Sequence, residues 1–336
     1  MQLLQNISLL PYNTFGLDVS AEYFLELKDP TLLPDISNDT AIPQNKHILG
    51  GGSNILLTQP IKGIVIHNCI KGISTIKETD SHIWLQISAG ELWHEFVMHT
   101  IGQGLTGIEN LALIPGTVGA SPIQNIGAYG VEVKEVIDAV TCWHWEQKVF
   151  ITLNNAECQF GYRDSIFKRE LKDKVFVSSV VFKLHKQAAY RTSYGAINEE
   201  LTKMQVPLST AAIANAVINI RSSKLPDPKK IGNAGSFFKN PTISTEHFEL
   251  LQTNYPSIPS YPVNDTTVKI PAGWLIEQCG WKGYRKGDAG VHEKQALVLV
   301  NYQHASGAEI WQLSTDILTS IKERFGILLE REVQVW

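Results

Sequence analysis

The sequence predicts an α+β protein of more than one domain, and three observations predict it. Segments of period two are interspersed with segments of period 3.6. The last third carries strands and helices together. Finally, 336 residues at ~150 per domain give two domains, possibly three. With 43% apolar and 18% charged residues, the chain can bury a sizeable core, which excludes wholesale disorder.

The elements fall into three consecutive stretches, 1–68, 69–221 and 222–336. In the first, Ala21 to Leu27, Lys46 to Leu49 and Gly63 to His67 read as strands; Lys46 to Leu49 runs straight into Gly50-Gly51-Gly52-Ser53-Asn54. In the second, Ile83, Leu85 and Ile87 alternate with Trp84, Gln86 and Ser88, as in a half-buried strand. The period then changes, and Leu92, Trp93, Phe96, Val97 and Thr100 line one helical face. Val175 to Leu184 is β-branched and strand-like. In the third, Pro271 to Cys279 reads as a helix closed by Gly280, and Ala296 to Asn301 as a buried strand. Ser306 and Glu309 form a capping box before a helix whose Ile310, Leu313, Ile317, Leu318, Ile321 and Phe325 share a face, and Gly326 ends it.

Composition excludes several functions. Net charge is −4, against a basic nucleic-acid or membrane-surface binder. No apolar run approaches the ~18 residues of a membrane span, and MQLLQNISLLPYNTF lacks a signal-peptide pattern. Cys69, Cys142, Cys158 and Cys279 are widely spaced, form no C-x-x-C, and read as reduced thiols of a cytoplasmic protein. His94 and His99 do not share a helix face, so no metal site is predicted.

Four clusters carry chemistry. Gly50 to Asn54 could form an anion nest for a pyrophosphate or a tight turn between strands. Ile114 to Gly130 packs four glycines and two prolines into an almost uncharged loop, against which a flat cofactor could lie. Its neighbour Gly102-Gln103-Gly104-Leu105-Thr106-Gly107 has G-x-G-x-x-G spacing but follows a helix, so it reads as a helix end. In Gly161-Tyr162-Arg163-Asp164-Ser165, Arg163 offers a fork for a carboxylate or phosphate, or pairs with an aspartate at the surface. Gly232 to Pro241 surrounds Ser236 with small residues and Phe237-Phe238, which could seat its hydroxyl in a partly desolvated pocket.

These segments, in order from Asn13-Thr14-Phe15-Gly16 to Glu332-Val333, resemble the UDP-N-acetylenolpyruvoylglucosamine reductase family along nearly the whole chain. The resemblance implies a two-part FAD-binding region of the vanillyl-alcohol oxidase type and a C-terminal α+β substrate-binding domain. It implies FAD held by Gly50, Gly51, Gly52, Ser53, Asn54, Gly116, Gly119, Ser121, Pro122, Asn125, Gly127, Ala128 and Tyr129, and the lack of a histidine in either loop makes noncovalent binding the expectation. Arg163, Ser236 and Glu332 match the catalytic trio. Tyr162, beside the trio's arginine, is expected to bind substrate by stacking or a hydrogen bond, and Tyr194, Lys224, Asn240, Tyr261 and Gln295 match substrate contacts of the form with an extra tyrosine-bearing loop, here Asn254 to Val268. One departure is at the C-terminus, where Gln334 replaces an expected basic residue and the chain stops at Trp336, so a contact from a longer tail is not implied.

The implied reaction is NADPH-dependent, FAD-mediated reduction of UDP-N-acetylenolpyruvoylglucosamine in cytoplasmic peptidoglycan-precursor synthesis, with no protein partner evident. Arg163 and Glu332, the latter protonated or hydrogen-bonding, would stabilise an enolate-like charge, and Ser236 would protonate C2. A flavin oxidase of the same fold and a non-catalytic nucleotide-binding module are the competing readings. The oxidase would share the first two clusters but would not need Arg163, Ser236 and Glu332 together, and the module would show no flavin absorbance after FAD is added.

Overall fold

The computed structural model describes residues 2–336, and the chain clusters into two compact units. The first takes residues up to Ile7, Ala21–Gly51 and Ile61–Ser223; the second takes Ser8–Ser20, Gly52–Pro60 and Lys224–Trp336.

The first unit holds two sheets. In one, strands Ser20–Leu27 and Lys46–Leu49 flank Ile61–Asn68 in parallel, with Leu4–Ser8 at the edge. Ile64, Val65 and Ile66 are fully buried, as expected of a central parallel strand covered on both faces. The other sheet is antiparallel, in the order Val149–Asn154, Ile137–His144, Val175–His185, His82–Ser88, Ile73–Glu78. Ile83, Leu85 and Ile87 face its core, as their alternation predicts. Against them packs helix Trp93–Gly102 through Trp93, Phe96 and Val97. Leu92 departs from the predicted face and is exposed, because it is the extended N-cap residue and lies outside the helical period. The helix stops at Gly102, so the dinucleotide-like spacing is a helix end and turn. Helices Gly195–Met204 and Thr210–Lys224 complete the unit.

In the second unit, strands Gly232–Ser236, Val298–Asn301, Ala289–Val291 and Arg285–Lys286 form an antiparallel sheet in that order. Helix Gly307–Phe325 begins at the predicted Ser306–Glu309 capping box and ends at Gly326 in the left-handed region. It buries Ile310, Leu313, Ile317, Ile321 and Phe325, and leaves Leu318 half-buried. The tyrosine-bearing segment is mostly a hairpin, Tyr261–Asn264 against Thr267–Lys269.

Compactness therefore groups the chain differently from the consecutive stretches 1–68, 69–221 and 222–336. A break falls at Ser223–Lys224, whereas residues 1–68 divide between the units. Long-range hydrogen bonds are the reason. Asn233 N–H donates to Thr14 O at 3.0 Å, and Asn301 Nδ2 donates to Phe15 O, also at 3.0 Å. Strand Ile55–Leu56 pairs in parallel with Gln334–Val335. All four cysteines are free thiols, and burial pushes Cys158 up to about 12.

Candidate active site

Two glycine-bearing segments meet in the first unit. A Cβ on Gly51 would lie 2.8 Å from Gly116 Cα, and one on Gly50 would lie 2.6 Å from Thr117 Oγ1. At Gly51 main chain thus faces main chain, and at Gly50 it faces the Thr117 side chain, with room for no Cβ at either position. The 114–130 loop holds itself rigid. The amides of Val118, Gly119, Ala120 and Ser121 donate to carbonyls of Glu91, Ala89, Thr117 and Val118. Ser121, though predicted to touch the cofactor, is buried and donates its Oγ to Val118 O at 2.7 Å. Asn125 is fully buried, with φ +46°, and its amide nitrogen reaches Glu132 Oε2 and Gly161 O at 3.1 and 2.9 Å.

Arg163 is fastened to this same loop. Its guanidinium donates to Gly127 O at 2.6 Å and to Asn125 O at 3.4 Å, and lies over the Tyr162 ring. The surface pair with Asp164 does not form, because Asp164 pairs with Arg169 instead. Arg163 itself has φ +53°, a conformation costly for a residue with a Cβ. Ser165, two residues on, is buried and latches the segment to the loop by donating to Ile123 O at 2.6 Å. The second and third clusters are therefore one structure.

In the second unit, Ser236 and Glu332 sit on adjoining segments. Glu332 N–H donates to Phe237 O at 2.8 Å, and Phe238 bridges Arg331. Asn54, from the first cluster, donates its side-chain amide to Glu332 O at 3.2 Å. Ser236 departs from expectation: it is exposed rather than desolvated. A bulge between Asn233 and Ser236 turns it outward, with Gly235 at φ +69° and Asn233 Oδ1 accepting from Gly235 N–H. Phe237 and Phe238 fill the core beneath.

The predicted substrate residues divide in the same way. In the first unit, Tyr194 is half-exposed and packs edge-on against Tyr129 at 5.4 Å. In the second, Asn240 Oδ1 accepts from Ala272 N–H at 2.9 Å, at the start of helix Ala272–Gln278. Gln295 Oε1 lies by Gly273 of the same turn. Lys224 and Tyr261 are exposed.

Sequence reasoning missed Asn110 and Arg221. Asn110 is buried and donates to Tyr129 O and Arg191 O at 3.2 and 2.9 Å, fixing the loop's last turn. Arg221 lies close enough to Tyr129 for the two to act on each other's charge, and its Nε is buried without a partner. Neither lies in a glycine-rich or motif-like stretch. As for metals, Glu26 and His67, on two parallel strands, and Cys69, just past the second, bring ligand atoms within 4.8 Å of one another. Glu26 is already paired with Lys28 at 3.1 Å.

Residues 43–150 match the FAD binding domain, and residues 227–336 match the C-terminal domain of UDP-N-acetylenolpyruvoylglucosamine reductase. The reductase of Flavobacterium johnsoniae is 48% identical, with 100% of each chain covered. The chain belongs to the UDP-N-acetylenolpyruvoylglucosamine reductase family. The Chromobacterium violaceum member is also 48% identical, over 99% of this chain and 98% of its own. The crystal structure of the Thermus caldophilus reductase shares the fold at TM-score 0.68 and 24% identity, covering 100% of this chain and 98% of that one. No helix among the described residues is long and apolar enough to cross a membrane.

The residues fit the FAD that the family requires. Gly51 and Gly116 join the two glycine-bearing segments backbone to backbone, in an approach that a Cβ would break. Tyr129, at the loop's end, stands beside an arginine with a donor to spare.

Proposed function

We propose that this chain reduces UDP-N-acetylenolpyruvoylglucosamine to UDP-N-acetylmuramate in peptidoglycan precursor synthesis, using FAD and NADPH. The observation that carries this reading is the end-to-end identity with reductases of that name, 48% over both complete chains. When bound, FAD supplies the hydride chemistry, accepting from NADPH and donating to the enolpyruvyl carbon.

The protein supplies alignment and charge. Arg163 stabilises the enolate-like charge that develops across C2 and the carboxylate. Its guanidinium is oriented in advance by the carbonyls of Gly127 and Asn125, so little reorganisation is needed as the charge appears. Ser236 Oγ gives its proton to C2. A hydroxyl is a weak acid, but the carbanion is a far stronger base and is held in place. Glu332, its backbone tied to Phe237 O, hydrogen-bonds the developing charge as an acid. Tyr194, Lys224, Asn240, Tyr261 and Gln295 bind the sugar nucleotide, with Tyr261 on the hairpin of the extra-loop form. Four reduced cysteines suit a cytoplasmic enzyme.

The test is to supply enzyme, NADPH and substrate without oxygen. One NADPH should be consumed per substrate, and the product should carry two added hydrogens. NADPH consumption that does not depend on the enolpyruvyl substrate would refute the reading.

Two further results are expected. Neither Gly50–Asn54 nor Ile114–Gly130 contains a histidine or cysteine, so acid or heat should release all the flavin; colour remaining in the precipitated chain would contradict noncovalent binding. Lys224→Ala and Tyr261→Phe should each raise KM for the sugar nucleotide ~10-fold or more, the scale of one lost charged contact. Reduction of the bound flavin by NADPH should change less, because remote binding energy is separable from that step. Equal damage to both half-reactions would indicate a structural role.

A further inference from the structure

The cluster of Glu26, His67 and Cys69 takes no part in the chemistry above, and the parallel sheet of the first unit decides where its side chains stand. Glu26 and His67 are register partners on strands Ser20–Leu27 and Ile61–Asn68, so they start one strand spacing, ~4.8 Å, apart on the same face. Cys69 follows His67 by two residues, which returns a side chain to that face. Between them Asn68 turns inward: it is buried, donates to Val177 O at 3.0 Å and accepts from Ile70 N–H at 3.3 Å. Cys69 N–H donates to Leu27 O at 2.8 Å, which holds the chain in place just past the strand. Glu26 is exposed and the other two are half-buried, so an ion could enter from solvent.

The distances suit a small tetrahedral ion. Zinc, with bonds of ~2.0–2.3 Å, needs neighbouring ligand atoms about 3.3–3.8 Å apart. Cys69 Sγ is 3.3 Å from His67 Nδ1, and all three ligand atoms lie within 4.8 Å of one another. The charges suit it as well. A thiolate and a carboxylate neutralise a divalent cation, and the imidazole adds a neutral donor. Two lysines stand nearby, and neither blocks the site. Lys28 pairs with Glu26 at 3.1 Å, but both are exposed and such a pair is readily displaced. Lys71 is drawn off by Glu91 at 3.3 Å.

We propose that Glu26, His67 and Cys69 form a binding site for a thiophilic divalent cation, zinc above all, with the fourth position left to water. Cys69 binds as the thiolate: its S–H proton passes to solvent and the sulfur electron pair forms the bond to the metal. Thiolate and imidazole select zinc over magnesium or calcium, which prefer oxygen ligands. Ligand spacing along the chain hides such a site, because Glu26 joins His67-Asn68-Cys69 only through the sheet.

The experiment titrates the reduced holoenzyme with Zn²⁺ by calorimetry, and with Cd²⁺ by ultraviolet absorbance, where thiolate-to-metal charge transfer reports a sulfur ligand. Wild type should bind one ion per chain, with the Cd²⁺ band growing in proportion. Cys69→Ser should lose the band and bind Zn²⁺ at least ~100-fold more weakly, since changes outside the ligand shell alone cost ~10- to 100-fold. Glu26→Gln and His67→Gln should each weaken Zn²⁺ at least ~10-fold and keep the band. Cys279→Ser should bind as wild type does, while Cys142 and Cys158 are poor competitors because burial pushes both thiols up. Retained flavin and thermal unfolding check that each variant is folded. Should Cys69→Ser fail that check, Zn²⁺ should still protect wild-type Cys69 from iodoacetamide, as mapped by mass spectrometry. Absence of the band in wild type, a band that survives in folded Cys69→Ser, or glutamine variants that bind as tightly as wild type would overturn the proposal. So would unprotected Cys69 at saturating Zn²⁺.

Discussion

Replacing Ser236 by alanine is expected to leave FAD binding and reduction by NADPH near wild-type, while transfer to the enolpyruvyl substrate slows by at least ~10²-fold, the scale of a lost positioned acid. The first half-reaction needs no proton at C2, so it should not depend on the serine. Ser236→Cys should regain part of the loss, because a thiol can still donate. A purely structural serine predicts something else: a stability loss of about 1 kcal/mol and little change in the second half-reaction. The bulge argues against that alternative, since Gly235 N–H is held by Asn233 Oδ1 and the sheet beneath by Phe237 N–H to Leu297 O at 2.7 Å. Rapid-mixing absorbance of each half-reaction separates the two. Near-wild-type transfer in Ser236→Ala would remove Ser236 from the mechanism.

The other large effect is expected at Gly51. Its Cβ would lie 2.8 Å from Gly116 Cα, so backbone meets backbone and relief requires parting the two cofactor segments. Overpacking of this kind costs about 1–3 kcal/mol. Here that strain falls where the two glycine-bearing segments join, so Gly51→Ala should weaken FAD binding by roughly tenfold to a hundredfold, the equivalent of that energy. Gly102→Ala provides the control. A Cβ there meets nothing within 4 Å, and alanine suits a helix end better than glycine does, so cofactor affinity should be unchanged. Flavin titration of both variants checks this. Wild-type affinity in Gly51→Ala would mean that the close approach does not shape the binding site.

What the sequence reveals, and what it hides, follows from how far each interaction reaches along the chain. Local rules were legible. The alternation of Ile83, Leu85 and Ile87 identified a half-buried strand, and Ser306, Glu309 and Gly326 marked both ends of one helix. The glycine clusters were legible too, because close backbone approach restricts the residue type. Partnerships across the chain were not. Nothing near Asn13–Gly16 signals that Asn233 and Asn301 bond to that turn, or that Ile55–Leu56 pairs with Gln334–Val335. The adjacent Arg163-Asp164 suggests an ion pair, yet Asp164 finds Arg169 and Arg163 finds the loop carbonyls. Small neighbours and two phenylalanines suggest a buried Ser236, but the bulge sends the phenylalanines inward and the hydroxyl out. Arg221 was invisible because its helix buries small and apolar residues around much of its circumference, so no polar position stands out.

The account's central claim is that one FAD on this chain passes reducing equivalents from NADPH to the enolpyruvyl group, with Arg163, Ser236 and Glu332 assisting the second transfer. The visible spectrum of the holoenzyme, followed without oxygen, tests it most directly. NADPH should bleach the flavin band, and UDP-N-acetylenolpyruvoylglucosamine should then restore it, with UDP-N-acetylmuramate formed in equal amount. A band that NADPH cannot bleach, or that recovers only when oxygen is admitted, would contradict the account and point to an oxidase.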